Sequence, residues 1–141
     1  MATTSELVEH LSKVPIFAGC SKKELQTIAK QVREIKHEAG YVIATEGEPG
    51  AGLFVIDRGE ADVSIGGRKV NHMKAGEFFG EMALLDGGPR TATVTATTDV
   101  TLYALTEWVF RGLLAEHPGI AMRTLETMAS RLRSATKMAS A

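Results

Sequence analysis

The sequence predicts an α+β fold that is mainly β: an antiparallel eight-stranded β-roll of jelly-roll type, with helices before it, one short helix inside it and two helices after it. Three observations carry that prediction. Apolar residues recur at helical spacing before residue 34, change to a period of two from Ile35, and return to helical spacing after Thr106. Turn residues then punctuate the middle of the chain every few positions, in "EGEPGAG", "DRGE", "IGGRK" and "KAGE". Finally, the alternation is interrupted once, at 78–92, by "FFGEMALLDGGPRTA", a stretch with helix-forming residues and three glycines.

Each element follows from local chemistry. Ser5 to Val14 carries Leu7, Val8 and Leu11 on one helical face, and Pro15 ends it. "SKKE" supplies Ser21 as N-cap and Glu24 three residues on, a capping box, before the apolar stripe Leu25, Ile28, Ala29 and Val32. Within the roll, Ala61, Val63 and Ile65 alternate with polar neighbours, and Gly66-Gly67 suits a tight hairpin turn. After the interruption, Ala92, Val94 and Ala96 face opposite to Thr91, Thr93, Thr95 and Thr97, and Val100, Leu102 and Ala104 continue the alternation. Thr106 can cap a helix carrying Val109, Phe110, Leu113 and Leu114, and "HPG" breaks it before a last helix reaching about Met138. There Ala121, Leu125, Met128, Leu132 and Ala135 fall four and three apart. That spacing suits a two-helix seam, yet two heptads are short for a coiled coil, so the stripe is expected to pack onto the sheet.

A chain of 141 residues is expected to form a single domain, 1–141, divided into N-terminal helices (1–34), the roll (35–105) and C-terminal helices (106–138). With 44% hydrophobic and 23% charged residues the composition is that of a soluble globular protein, and no apolar run is long enough to span a bilayer. "MATTSELVEH" lacks the basic and apolar regions of a secretory signal, so a cytoplasmic location is expected. The single cysteine, Cys20, reads as a packed thiol. A net charge of −1 argues against a protein that coats nucleic acid, although the chain after Pro118 carries Arg123, Arg131, Arg133 and Lys137 against Glu126 alone. Those cations suit either a solvated helix C-terminus or a polyanion site.

The interruption holds the chemistry. A short helix opening at Gly80 points free backbone N–H groups outward, and with its dipole forms an anion site, a phosphate-binding helix. Arg90 returns beyond the "GGP" turn with a fork that fits phosphate, and Thr91 adds a hydroxyl. Glu81, an acceptor when ionised, suits a ligand bearing hydroxyl donors as well as negative charge, and a ribose phosphate offers both. A plain ion pair between Glu81 and Arg90 across the turn accounts for the same residues equally well.

"FGEMALLDGGPRTATVTA" resembles the phosphate-binding cassette of cyclic nucleotide-binding domains, and "VIATEGEPGAGLFVIDRGEADVSI" resembles the segment before it in regulatory subunits of cyclic-AMP-dependent protein kinase. The resemblance extends from about Leu11 to Arg133. It implies that Glu81 accepts the ribose 2′-hydroxyl, that Arg90 binds the cyclic phosphate with Thr91, and that Gly80 and the backbone amides of Met82 and Ala83 face it. It also implies that Leu84 couples the cassette to the first C-terminal helix. The C-terminal half is similar to the cytoplasmic domain of prokaryotic cyclic-nucleotide-gated potassium channels, in which an arginine thirteen residues after a helix-opening proline covers the purine. That count, from Pro118, falls on Arg131, with Arg133 as the alternative.

The implied function is a cyclic nucleotide sensor, cyclic AMP favoured and cyclic GMP possible, whose C-terminal helices move on binding and act on a downstream protein the sequence does not name. No cofactor, metal or catalysis is expected: His10, His37, His72 and His117 are scattered, no nucleophile motif occurs, and "GEPGAG" lacks the lysine and spacing of a P-loop. No DNA binding is expected, since no room for a helix-turn-helix follows the last helix. A module that keeps the fold but binds proteins without ligand, or an excised channel or regulator domain, is the alternative.

Overall fold

The computed structural model describes residues 3–50 and 52–140, without the side chains at 83, 84 and 137–140. Its helices are α1 (Thr4–Ser12), α2 (Lys22–Ala29), α3 (Glu81–Asp86), α4 (Glu107–Glu116) and α5 (Pro118–Ser140). Its strands are β1 (Arg33–His37), β2 (Val42–Ala44), β3 (Gly52–Arg58), β4 (Ala61–Ile65), β5 (Arg68–Met73), β6 (Phe78–Phe79), β7 (Thr93–Ala96) and β8 (Val100–Thr106). They form two antiparallel four-stranded sheets, in the orders β1-β8-β3-β6 and β2-β7-β4-β5.

The central strands of the first sheet, β3 and β8, are buried on both faces, which explains why "LFVI" and "LYAL" read as continuous apolar runs. Leu53, Val55, Phe78, Tyr103 and Leu105 point to a core shared with Leu11, Phe17, Ile28, Phe110 and Ile120 of the helical layer. Ile56, Phe79, Val100 and Leu102 point the other way, meeting Ala61, Met73, Val94 and Ala96 of the second sheet. Each such large apolar side chain removed from water contributes about 1.5–3 kcal/mol, so β3 and β8 tie both cores together. The second sheet turns its other face outward, and its strands alternate accordingly.

Local signals match the ends of the elements. Ser21 accepts from the Glu24 N–H at 3.1 Å while Glu24 accepts from the Ser21 N–H at 2.8 Å, completing the capping box. Thr106 Oγ accepts from the Val109 N–H and caps α4. Pro15 does end α1, but the chain continues into a 3₁₀ turn, Pro15–Phe17, whose Ile16 and Phe17 are buried under the helical layer.

One expectation is corrected. In α5 the stripe of Leu125 and Leu132 does not pack onto the sheet: these residues are 61% and 68% exposed, and Met122 beside them is 57% exposed. The helix is turned so that Ile120 and Thr124 are buried and Arg131, on the same face, reaches the roll. Two anchors fix that rotation: Arg123 Nε donates to the Ile16 carbonyl at 2.9 Å, and Arg131 binds Glu81. Thr124 tolerates burial because its hydroxyl donates to the Ile120 carbonyl within the helix.

Candidate nucleotide-binding site

The interruption in the roll is built around Arg90. Residues 47–49 and 89–90 are laced together: Arg90 N–H donates to the Glu48 carbonyl at 2.8 Å, Gly47 N–H donates to the Arg90 carbonyl at 2.9 Å, and Pro49 faces Pro89. From that fixed backbone the Arg90 guanidinium, 9% exposed, donates to the carbonyls of Gly80 at 3.3 Å and Gly52 at 2.9 Å and lies 5.7 Å from the Phe54 ring. Two glycines make room for it. A Cβ on Gly80, whose φ is +95°, would sit 2.4 Å from Arg90 Nη1, and one on Gly50 would sit 2.4 Å from Arg90 Nε.

Glu81, 3% exposed, opens α3 beside it. Its ion pair is with Arg131 of α5 rather than with Arg90; the same guanidinium donates to the Phe78 carbonyl and stacks 4.8 Å from the Phe78 ring. Among the described residues no ion pair includes Arg90. Burial lowers its guanidinium from the ordinary value, and the Glu81 charge opposes that shift. It remains a cation whose partners are neutral carbonyls.

These groups line one end of a cavity of about 750 Å³. Gly80, Glu81, Met82, Arg90 and Thr91 form its polar end, Val63, Ile65, Val70 and Val94 an apolar wall, and Ser130, Arg131 and Ser134 of α5 the third side. The size suits a ligand of nucleotide scale. Of the residues singled out in the sequence, Gly80, Glu81, Met82, Arg90, Thr91 and Arg131 therefore meet in one place, and Arg133 does not line it. The contact expected of Leu84 falls on a side chain outside those described, whereas Ala83, expected to contribute its backbone amide, lies in the first turn of α3. Asn71, Ser130 and Ser134 were not foreseen. Asn71 was legible in principle, because the period of β5 places it on the same face as the buried Met73.

A cavity lined by this cassette, the second sheet and α5 has the groups to suit an anionic, hydroxyl-bearing ligand. The chain belongs to the cyclic nucleotide-binding domain family, whose model matches residues 34–117. It is 38% identical over 118 residues to a cAMP-dependent protein kinase regulatory subunit from Colletotrichum orbiculare, an alignment covering 82% of this chain and 30% of that protein. It is 31% identical over 132 residues to the CRP-like cAMP-activated global transcriptional regulator of Mycobacterium tuberculosis, covering 89% of this chain and 58% of that one. Among solved structures, one described as cAMP bound PfPKA-R (141-441) superposes with a TM-score of 0.88 at 25% identity, covering 96% of this chain and 47% of the other. The chain thus spans less than a third of the kinase regulatory subunit and less than two thirds of the transcriptional regulator.

Among the described residues no helix is long and apolar enough to cross a membrane.

Proposed function

We propose that the protein binds a cyclic purine nucleotide, cyclic AMP in preference to cyclic GMP, and signals its presence through α4 and α5. The observation that carries this reading is Arg90: a cation nine-tenths buried at the wall of a nucleotide-sized cavity, aimed by two carbonyls and paired with no carboxylate among the described residues. A buried charge in that state is stabilised by an anion, and a cyclic phosphate with a donating 2′-hydroxyl satisfies Arg90 and Glu81 together. Relatives named for cAMP support the choice of ligand.

In this mechanism Arg90, Thr91 and the α3 backbone hold the phosphate, and Glu81 takes the ribose hydroxyl with the carboxylate oxygen that Arg131 leaves free. Arg131 joins α5 to the sugar site and, with ligand bound, closes the cavity over the base. Ligand shifts the position of α4 and α5 only by its differential affinity for the closed arrangement, and Arg131 and Leu84 are the residues through which it does so. Among the described residues no histidine or cysteine lines the cavity, and we read it as a binding site rather than a catalytic one.

Titration calorimetry separates the roles. Arg90→Ala is expected to nearly abolish cyclic AMP binding, and Arg131→Ala to weaken it modestly. Equal losses in the two variants would rule out the lid role. Incubating the protein with cyclic AMP for hours is expected to yield no AMP, and stoichiometric turnover would refute the binding reading.

One observation favours a second reading, a module that binds proteins without ligand: Trp108, at 87% exposure, joins Met122, Leu125 and Leu132 as apolar residues open to solvent on α4 and α5. That reading requires cyclic AMP to leave the melting temperature unchanged. Under the primary reading these same helices carry the output to a partner protein.

A further inference from the structure

We infer that Asn71 reads the base of the bound nucleotide and selects adenine; this rests on the cavity being a cyclic nucleotide site. With the sugar and phosphate held at Glu81, Arg90 and Thr91, the base is left against the β4–β5 wall. That wall is apolar apart from one carboxamide. Asn71 pairs in register with Val63 and lines the cavity, next to an irregularity in the pairing between Val63 and Ser64.

Its amide is oriented in advance. Asn71 Oδ1 accepts from the backbone N–H of His72 at 2.8 Å. The His72 ring is gripped in turn on the opposite face of the sheet, with Nδ1 at 2.6 Å from Asp62 and Nε2 at 2.5 Å from Glu60. One oxygen lone pair of the amide is therefore spent, one remains, and both Nδ2 protons are without a partner among the described residues.

A donor and an acceptor fixed side by side match the N7 acceptor and N6 donor of adenine. Guanine offers acceptors at both N7 and O6, so the same amide would set Oδ1 against O6. Discrimination thus arises at the six position of the purine.

Calorimetric titration with cyclic AMP, 7-deaza-cyclic AMP, cyclic IMP and cyclic GMP tests this, on the wild type and Asn71→Ala, with melting temperatures showing that the exposed substitution leaves the fold intact. In the wild type, loss of N7 or replacement of the six-amino group by oxygen is expected to weaken binding about tenfold. In Asn71→Ala both penalties are expected to shrink to about twofold or less, the residue of one lost hydrogen-bond partner. Equal wild-type affinity for cyclic AMP and 7-deaza-cyclic AMP would overturn the inference while leaving the nucleotide site standing, as would a variant that keeps the full preference. Failure of the wild type to bind any of the four would overturn both.

Discussion

Arg90 owes its position to residues that have no side chain. Because the nearest atoms to a Cβ on Gly50 would be Nε, Cζ and Cδ of the Arg90 side chain and Gly50 has no positive φ, Gly50→Ala is expected to displace Arg90 without straining the backbone. Cyclic AMP affinity should fall more than tenfold while the melting temperature changes little. Gly80→Ala differs, since its Cβ also meets the Gly52 carbonyl at 2.7 Å and its φ is +95°; it should cost stability as well, about 1–3 kcal/mol by chemical denaturation. Another residue-scale effect concerns pH. Hydrogen bonds to Asp62 first, then Glu60, raise His72 above its ordinary 6.5, and the bond to His72 likewise lowers Asp62 below 3.8. A raised histidine stabilises the fold fully below 6.5 and loses that contribution as pH climbs through its folded value; a lowered aspartate contributes above 3.8 and loses it as pH falls through its folded value. The melting temperature of the wild type relative to His72→Gln should therefore be highest from about pH 4 to 6.5 and converge at higher pH.

Elements differ in how openly the sequence declares them. Ser21 and Glu24 announce α2, and Ser21→Ala is expected to cost about 1 kcal/mol, read as a lower denaturant midpoint with unchanged slope. Thr106, Pro118 and the Gly66-Gly67 turn were equally plain, because caps and turns depend on a few neighbouring atoms. The short helix between β6 and β7 was visible as a break in alternation. What was not visible is which face of α5 is buried. Leu125 and Leu132 outbid Thr124 and Arg131 on hydrophobicity, but the helix is oriented by Arg123 on the Ile16 carbonyl and Arg131 on Glu81, both contacts across more than forty residues. Glu24 shows the same limit: its capping role is local, while its second contact, 2.5 Å from His117 Nδ1 at the α4–α5 junction, joins elements far apart in the chain.

At the scale of the molecule, two cores share one sheet, and the ligand cavity lies away from the helical core, bounded by the second sheet, α3 and α5. Phe78 and Phe79 show the division: adjacent in β6, they face opposite cores, and Phe78 also underlies Arg131. Under the proposed coupling, a movement of α5 would reach the helical layer through the contacts it makes with Phe78, Ile16 and the α4–α5 junction. The cassette residues were legible because their chemistry is compressed into 78–92, whereas the partner of Glu81 was not, since Arg131 lies fifty residues away. The site as a whole makes one demand, an anion for Arg90. Its most direct test is calorimetric titration of cyclic AMP into protein freed of endogenous nucleotide by unfolding and refolding, beside Arg90→Ala. Saturable one-to-one binding that the substitution eliminates is the predicted result; no heat from the wild type, or undiminished binding in Arg90→Ala, would contradict the account.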